Sequence, residues 1–182
     1  MIISETSIKG LFVIEPRVFE DDRGYFMESF NNIQFNEKIY KINFIQDNES
    51  KSNRGVLRGL HFQKPPFDQA KLVRVIQGEV LDVAVDLRTD SATYGMHIAM
   101  ILSDENKKQF FVPRGFAHGF AVLSETAIFS YKVDNLYSPE HDSGIRWNDP
   151  ILNIDWNLNL DEIQLSDKDK KLPFFNEFVN PF

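Results

Sequence analysis

Two β-branched runs, Lys71-Leu-Val-Arg-Val-Ile76 and Glu79-Val-Leu-Asp-Val-Ala-Val-Asp-Leu87, meet at Gln77-Gly78. Valine and isoleucine pack well on a pleated surface, and a glycine between two such runs signals a hairpin. Short apolar runs recur at Leu11–Ile14, Tyr25–Phe30, His97–Leu102, Phe110–Val112, Phe120–Leu123 and Ala127–Val133. Turn residues punctuate them, among them Asp21-Asp22-Arg23-Gly24 and Asn148-Asp149-Pro150. Many short strands at close spacing predict an all-β sandwich or barrel. The strand–helix alternation of a doubly wound parallel sheet is missing. Helix is confined to residues 31–40, behind an Asn31-Asn32 cap, and to a single polar turn within Leu165–Pro173. Phe44–Asn48 reads as a strand leading into a polar loop, Glu49–Asn53, and Ile154–Trp156 as a short extended piece. No repeat or linker divides the 182 residues, which read as one domain.

Bulk properties exclude several classes. A net charge of −7 argues against a protein that grips nucleic acid with its whole surface. The chain has no cysteine, which removes disulfides, thiolate nucleophiles and zinc–thiolate sites together. No apolar run approaches the roughly 20 residues of a membrane helix. The opening Met-Ile-Ile-Ser-Glu-Thr lacks a basic stretch followed by an apolar one, so a cytoplasmic protein without a signal peptide is expected.

Within this acidic chain, Arg54-Gly-Val-Leu-Arg58-Gly-Leu-His61-Phe-Gln and Lys71 gather three cations about one imidazole. A local basic cluster marks a site rather than a general field. Cations beside an imidazole disfavour its charged form, which leaves His61 able to accept a proton. The arginines suit a phosphorylated or carboxylated ligand. Read alone, the same residues also describe a core histidine with surface arginines. Asp82 interrupts an apolar strand, so it lines a pocket or pairs with a basic neighbour. Pro113-x-Gly115-x-x-His118 resembles the second motif of the cupin superfamily, a jelly-roll barrel. Metal-binding cupins carry His-x-His in the first motif; here that place reads His61-Phe62-Gln63. Two histidines are too few for a metal's first shell, so a metal-free barrel is expected.

Taken together, eight segments resemble the dTDP-4-dehydrorhamnose 3,5-epimerases over nearly the whole chain. They are Phe19-x-Asp-x-Arg23-Gly-x-Phe26-x-Glu28-Ser-Phe, Gln46-Asp-Asn48-x-Ser50-x-Ser52, Arg54-Gly-Val-Leu-Arg58-Gly-Leu-His61-Phe-Gln, Lys71-Leu-Val-Arg, Gly78-x-Val-x-Asp82-Val-Ala-Val-Asp-Leu-Arg88, Pro113-x-Gly-Phe-Ala-His118-Gly-Phe, Tyr131-Lys and Trp147-Asn-Asp-Pro.

The resemblance implies a cupin-type jelly roll that needs no cofactor and inverts C3 and C5 of a dTDP-4-keto-6-deoxyhexose. It implies His61 as base, oriented by Asp169; Tyr131 as acid; and Lys71 at the enolate oxygen, steadied by Asp82, with His118 on the sugar. Arg23, Arg58 and Lys168 are implied as ligand contacts. Gln46, Asn48 and Glu28 match positions that hold the thymidine diphosphate, with Phe26 and Tyr137 flanking base and sugar. Asp142 aligns with a glutamate common in the family. Ser166-x-x-Asp169 also reads as a helix-capping pattern. A homodimer is implied, with N-terminal strands (about 1–30) exchanged so that Arg23, Phe26 and Glu28 reach the neighbour's pocket. Rivals are a single-site epimerase and a non-catalytic sugar-nucleotide-binding barrel.

Overall fold

The valine- and phenylalanine-rich runs pair antiparallel into two facing sheets in a computed structural model that describes residues 1–182. In chain order the elements are β1 (Ile2–Glu5), β2 (Phe12–Glu15), β3 (Val18–Asp21), β4 (Gly24–Met27), α1 (Asn32–Lys38), β5 (Gln46–Asn53), β6 (Leu57–Gln63) and β7 (Lys71–Gln77). Then come β8 (Glu79–Asp86), β9 (His97–Ser103), β10 (Gln109–Val112), β11 (Phe116–Val122), β12 (Thr126–Val133), β13 (Asp142–Gly144) and a 3-10 turn, Asp169–Lys171. One sheet runs β1-β2-β10-β7-β12-β5 and the other β13-β6-β11-β8-β9, while β3 and β4 form a separate two-stranded ribbon. This is the all-β double-sheet barrel expected from the strand spacing, and the cupin-type jelly roll that the resemblance implies.

Alternation sorts the side chains into layers. Val73, Val75, Phe110, Phe120 and Phe129 fill the space between the sheets. Leu81, Val83 and Val85, on the opposite face of β8, are covered by the C-terminal segment through Trp156, Phe175 and Phe178. That double burial explains why β8 reads as a nearly continuous apolar run. On the other side, Phe35 of α1 packs on Phe111 and Leu72. The helix starts where the sequence places it: the Asn31 side chain accepts from the Gln34 amide at 3.1 Å.

Two local expectations need correction. Glu49–Asn53 is no loop but the second half of β5, paired in full with β12. Its exposed and inward residues are both polar, so the apolar alternation of a strand is missing. The strand at Tyr25–Phe30 stops at Met27, because Phe30 turns to pack on Phe35 and Phe44.

β6 carries the irregularity that builds the site. Its pairing with β11 matches His61 to His118 and Arg58 to Phe120, so three steps on β6 face two on β11. The extra residue is a bulge. Without it, Arg58 and His61 would point to opposite faces of the sheet; with it, both point between the sheets. Gly59 is required there: its φ is +135°, and a Cβ would meet Gly119 Cα at 2.6 Å.

Candidate active site

A cavity of about 490 Å³ opens between the sheets. Arg58, His61, His118 and Phe120 line it from β6 and β11, and Lys71, Phe129 and Tyr131 from β7 and β12. Ser166, Lys168 and Asp169 close it from the C-terminal segment.

That segment is tied to β6 before it reaches the site. Val56 and Gln164 form a parallel bridge, and the Leu57 amide donates to Gln164 O at 3.0 Å. Arg146 then donates to Lys170 O at 2.7 Å. Ser166 Oγ accepts from the Asp169 amide at 3.1 Å, so the capping pattern is real. The Asp169 carboxylate does not reach back as a capping box would. It accepts from His61 Nε2 at 2.5 Å. Asp169 is 4% exposed at its side chain and His61 30%. Burial pushes the Asp169 carboxyl up, but the hydrogen bond and charge of His61, the Ser166 hydrogen bond and Lys168 hold it below the ordinary range. An ionised carboxylate only accepts, so Nε2 carries the hydrogen and Nδ1 is left to take a proton.

The facing wall differs. Burial raises the Tyr131 phenol, the Arg58 charge opposes it and Asp142 adds to it; the hydroxyl stays protonated at neutral pH. Burial pulls the Lys71 ammonium down to about 8, against the carboxylates of Asp142 and Asp82. Asp82 is fully buried, and its hydrogen-bond partner is His118 rather than Lys71, with Nε2 at 2.8 and 3.0 Å from its two oxygens. Asp82 acts on Lys71 through its charge, which favours the ammonium, rather than through a hydrogen bond. Each cavity histidine is thus engaged by one aspartate, and no group of three or more His, Asp or Glu side chains converges as a metal shell.

The family-model match covers residues 5–177 and is described as dTDP-4-dehydrorhamnose 3,5-epimerase. The chain belongs to that family. The epimerase of that name from Methanothermobacter thermautotrophicus is 56% identical over 167 residues, 91% of this chain and 90% of the relative. A crystal structure of the epimerase from Elizabethkingia anophelis NUHP1 superposes with a TM-score of 0.93 at 52% identity, covering 97% of each chain. The dTDP-6-deoxy-D-glucose-3,5-epimerase of Legionella pneumophila Philadelphia 1, solved in complex with dTDP-4-keto-L-rhamnose, gives 0.94 at 47% identity, with 98% of this chain and 94% of that one covered.

Set against the epimerase pattern, the remaining residues fall into three groups. Tyr137, Asp142 and Lys168 come together at the cavity mouth: the Tyr137 hydroxyl donates to Asp142 Oδ2 at 3.0 Å, and the Lys168 ammonium donates to the same oxygen. Gln46 and Asn48 share the inward face of β5, where Gln46 Nε2 donates to Asn48 Oδ1 at 2.8 Å. Asn48 stands opposite Tyr131 in the register, but neither residue lines the cavity.

Arg23, Phe26 and Glu28 are elsewhere, on or beside the β3–β4 ribbon. Arg23 binds Asp21, Glu28 binds Asn31, and Phe26 is 69% exposed. Arg54, grouped with the site cations by sequence, lies outside as well; it pairs with Glu162 at 3.1 Å and donates to Leu123 O. Arg54 sits in the turn between β5 and β6, where Gly55, at φ +83°, breaks the alternation and leaves Arg54 on the outer side. Of the residues at the site, Gln164 has no signal in the sequence reading, while Ser50 and Ser52 enter it only within a matching segment and Ser166 only as a helix cap. Ser50 and Ser52 have a signal, their i, i+2 spacing, but it is hidden once the stretch is taken for a loop.

Proposed function

We propose that this chain inverts C3 and C5 of dTDP-4-dehydro-6-deoxy-D-glucose to give dTDP-4-dehydro-L-rhamnose, a step of dTDP-L-rhamnose biosynthesis. One observation carries the reading beyond family membership. His61 and Tyr131 stand on facing sheets and line the same cavity, as a base and an acid working on opposite faces of one ring must.

Both carbons lie beside the C4 ketone, so their protons are removable once the enolate oxygen is stabilised. His61 Nδ1 takes the proton. The C–H electron pair becomes a C=C bond, and the carbonyl pair moves to oxygen, where the Lys71 ammonium stabilises it. Asp169 holds the imidazole and favours the imidazolium, as in a His–Asp pair of the hydrolase kind without a nucleophile. Tyr131 then gives its proton to the carbon from the opposite face and is left as phenolate. The proton on His61 and the deficit on Tyr131 cancel through solvent before the second inversion.

The nucleotide is held by Arg58, Lys168, Gln46, Asn48 and the Tyr137–Asp142 edge. Arg23, Phe26 and Glu28 complete a neighbour's site in a homodimer that exchanges N-terminal strands. The exposed ribbon, with Phe19 49% and Tyr25 54% exposed beside Phe26, supports this. The 182 residues act as one domain, in the cytoplasm. The test is isotopic: turnover in D2O places deuterium at both C3 and C5. Uptake at one carbon makes the chain a single epimerase, and uptake at neither refutes the assignment.

A further inference from the structure

Arg58 does more than stand at the cavity mouth. Its Nε and one terminal nitrogen both donate to Ser52 Oγ, at 3.2 and 3.1 Å. Ser52 is 7% exposed and has no other side-chain partner. It belongs to β5, the edge of the six-stranded sheet, while Arg58 belongs to β6 in the other sheet. The contact is therefore a strut from sheet to sheet. One edge of the guanidinium is spent on Ser52, and its plane and position are set by that contact. Along β5 the register opposes Ser52 to Ala127 and Asn48 to Tyr131. Ser52 and Tyr131 thus share the inward face of neighbouring strands, and Arg58 and Tyr131 line the same cavity.

A buried phenol that gives up its proton leaves a charge with little water to solvate it. A fixed cation nearby is the direct remedy, and Arg58, fixed by Ser52 on the facing sheet, shares the cavity with Tyr131. Its charge already acts on the Tyr131 hydroxyl, against the effect of burial. We propose that Ser52 is a positioning residue that holds Arg58 where its guanidinium stabilises the Tyr131 phenolate, so that the pair serves proton return as well as ligand binding. This rests on the reading of Tyr131 as the acid.

The test separates proton removal from proton return. In D2O, uptake of deuterium reports abstraction at C3 and C5, and inverted product reports delivery from the far face. For Ser52→Ala the ratio of inversion to uptake should fall about tenfold, the scale of a weakened general acid, in addition to any loss of calorimetric dTDP affinity that follows from releasing Arg58. Ser52→Thr, which keeps the hydroxyl, should restore most of the ratio. An unchanged ratio in Ser52→Ala overturns the proposal, whatever happens to dTDP affinity, and leaves Arg58 as a ligand anchor alone. If Ser52→Ala does not fold, Arg58→Lys gives the same reading, since an ammonium cannot reproduce the guanidinium's planar edge; the ratio should fall there too, and an unchanged one overturns the idea. Tyr131→Phe is run beside them. If it leaves the ratio at the wild-type value, the acid reading itself fails, which is a distinct result from failure of the strut.

Discussion

The cavity and the β3–β4 ribbon make opposite uses of their charged and aromatic residues. In the cavity each group is held from within the chain: His61 by Asp169, His118 by Asp82, Arg58 by Ser52. On the ribbon Arg23 is held only by Asp21 two residues away, and its side chain is 89% exposed. Phe26 has just Phe19 beside it, at 6.5 Å between ring centroids. A side chain locked by a partner on another element is pre-organised for chemistry; one locked only by its own turn is free to meet another surface. On the proposed reading, proton transfer belongs to a single chain and part of the nucleotide's binding to a second copy.

The comparison can be broken first at His61. His61→Ala or His61→Asn should lower turnover about 10³-fold, the scale of a lost general base, with the melting temperature nearly unchanged; residual activity within a few-fold of wild type would move the base elsewhere. Tyr131→Phe comes next. Inversion should fall about 10²-fold, with deuterium uptake at C3 and C5 reduced much less.

Lys71 gives a pH test with two readouts. Its pKa is lowered to about 8, so the ammonium is lost as pH rises through that value. Turnover should then drop about tenfold per pH unit above it, and Lys71→Met should abolish this limb. Stability runs the other way. Between pH 8 and the ordinary lysine value of 10.5, the unfolded chain binds more protons than the folded one, so stability from this group rises with pH. A parallel fall of both readouts would mean unfolding rather than loss of the ammonium.

On the ribbon, Phe26→Ala should raise KM for the nucleotide sugar about tenfold, the order of one lost aromatic contact, and leave deuterium uptake at saturation intact. An active preparation that sediments as a monomer would break the comparison from that side. The smallest effect belongs to the helix cap: Asn31→Ala should cost about 1 kcal/mol of stability and leave turnover unchanged.

Much of this was legible in the chain. β8 announces itself because it is apolar on both faces, and α1 because Asn31 caps it. The His–Asp pairing of His61 and Asp169, 108 residues apart, came only with the family resemblance, since no local pattern links them. β5 was hidden because its inward and outward faces are both polar, which removes the alternation that marks strands. The bulge at Gly59 was equally silent. A glycine in a strand suggests a bend, but the register shift that turns Arg58 and His61 to one face depends on β11 beside it. Asp82 was read as needing a basic partner, and it has one; burial dictated the need, and the fold chose His118 over Lys71.

The central claim concerns where the hexose lies. A crystal of this protein soaked with a dTDP-sugar should show the ring between the His61 imidazole and the Tyr131 hydroxyl, with the C4 oxygen toward Lys71. A hexose bound outside that gap, with both side chains on the same face of the ring, would contradict the account.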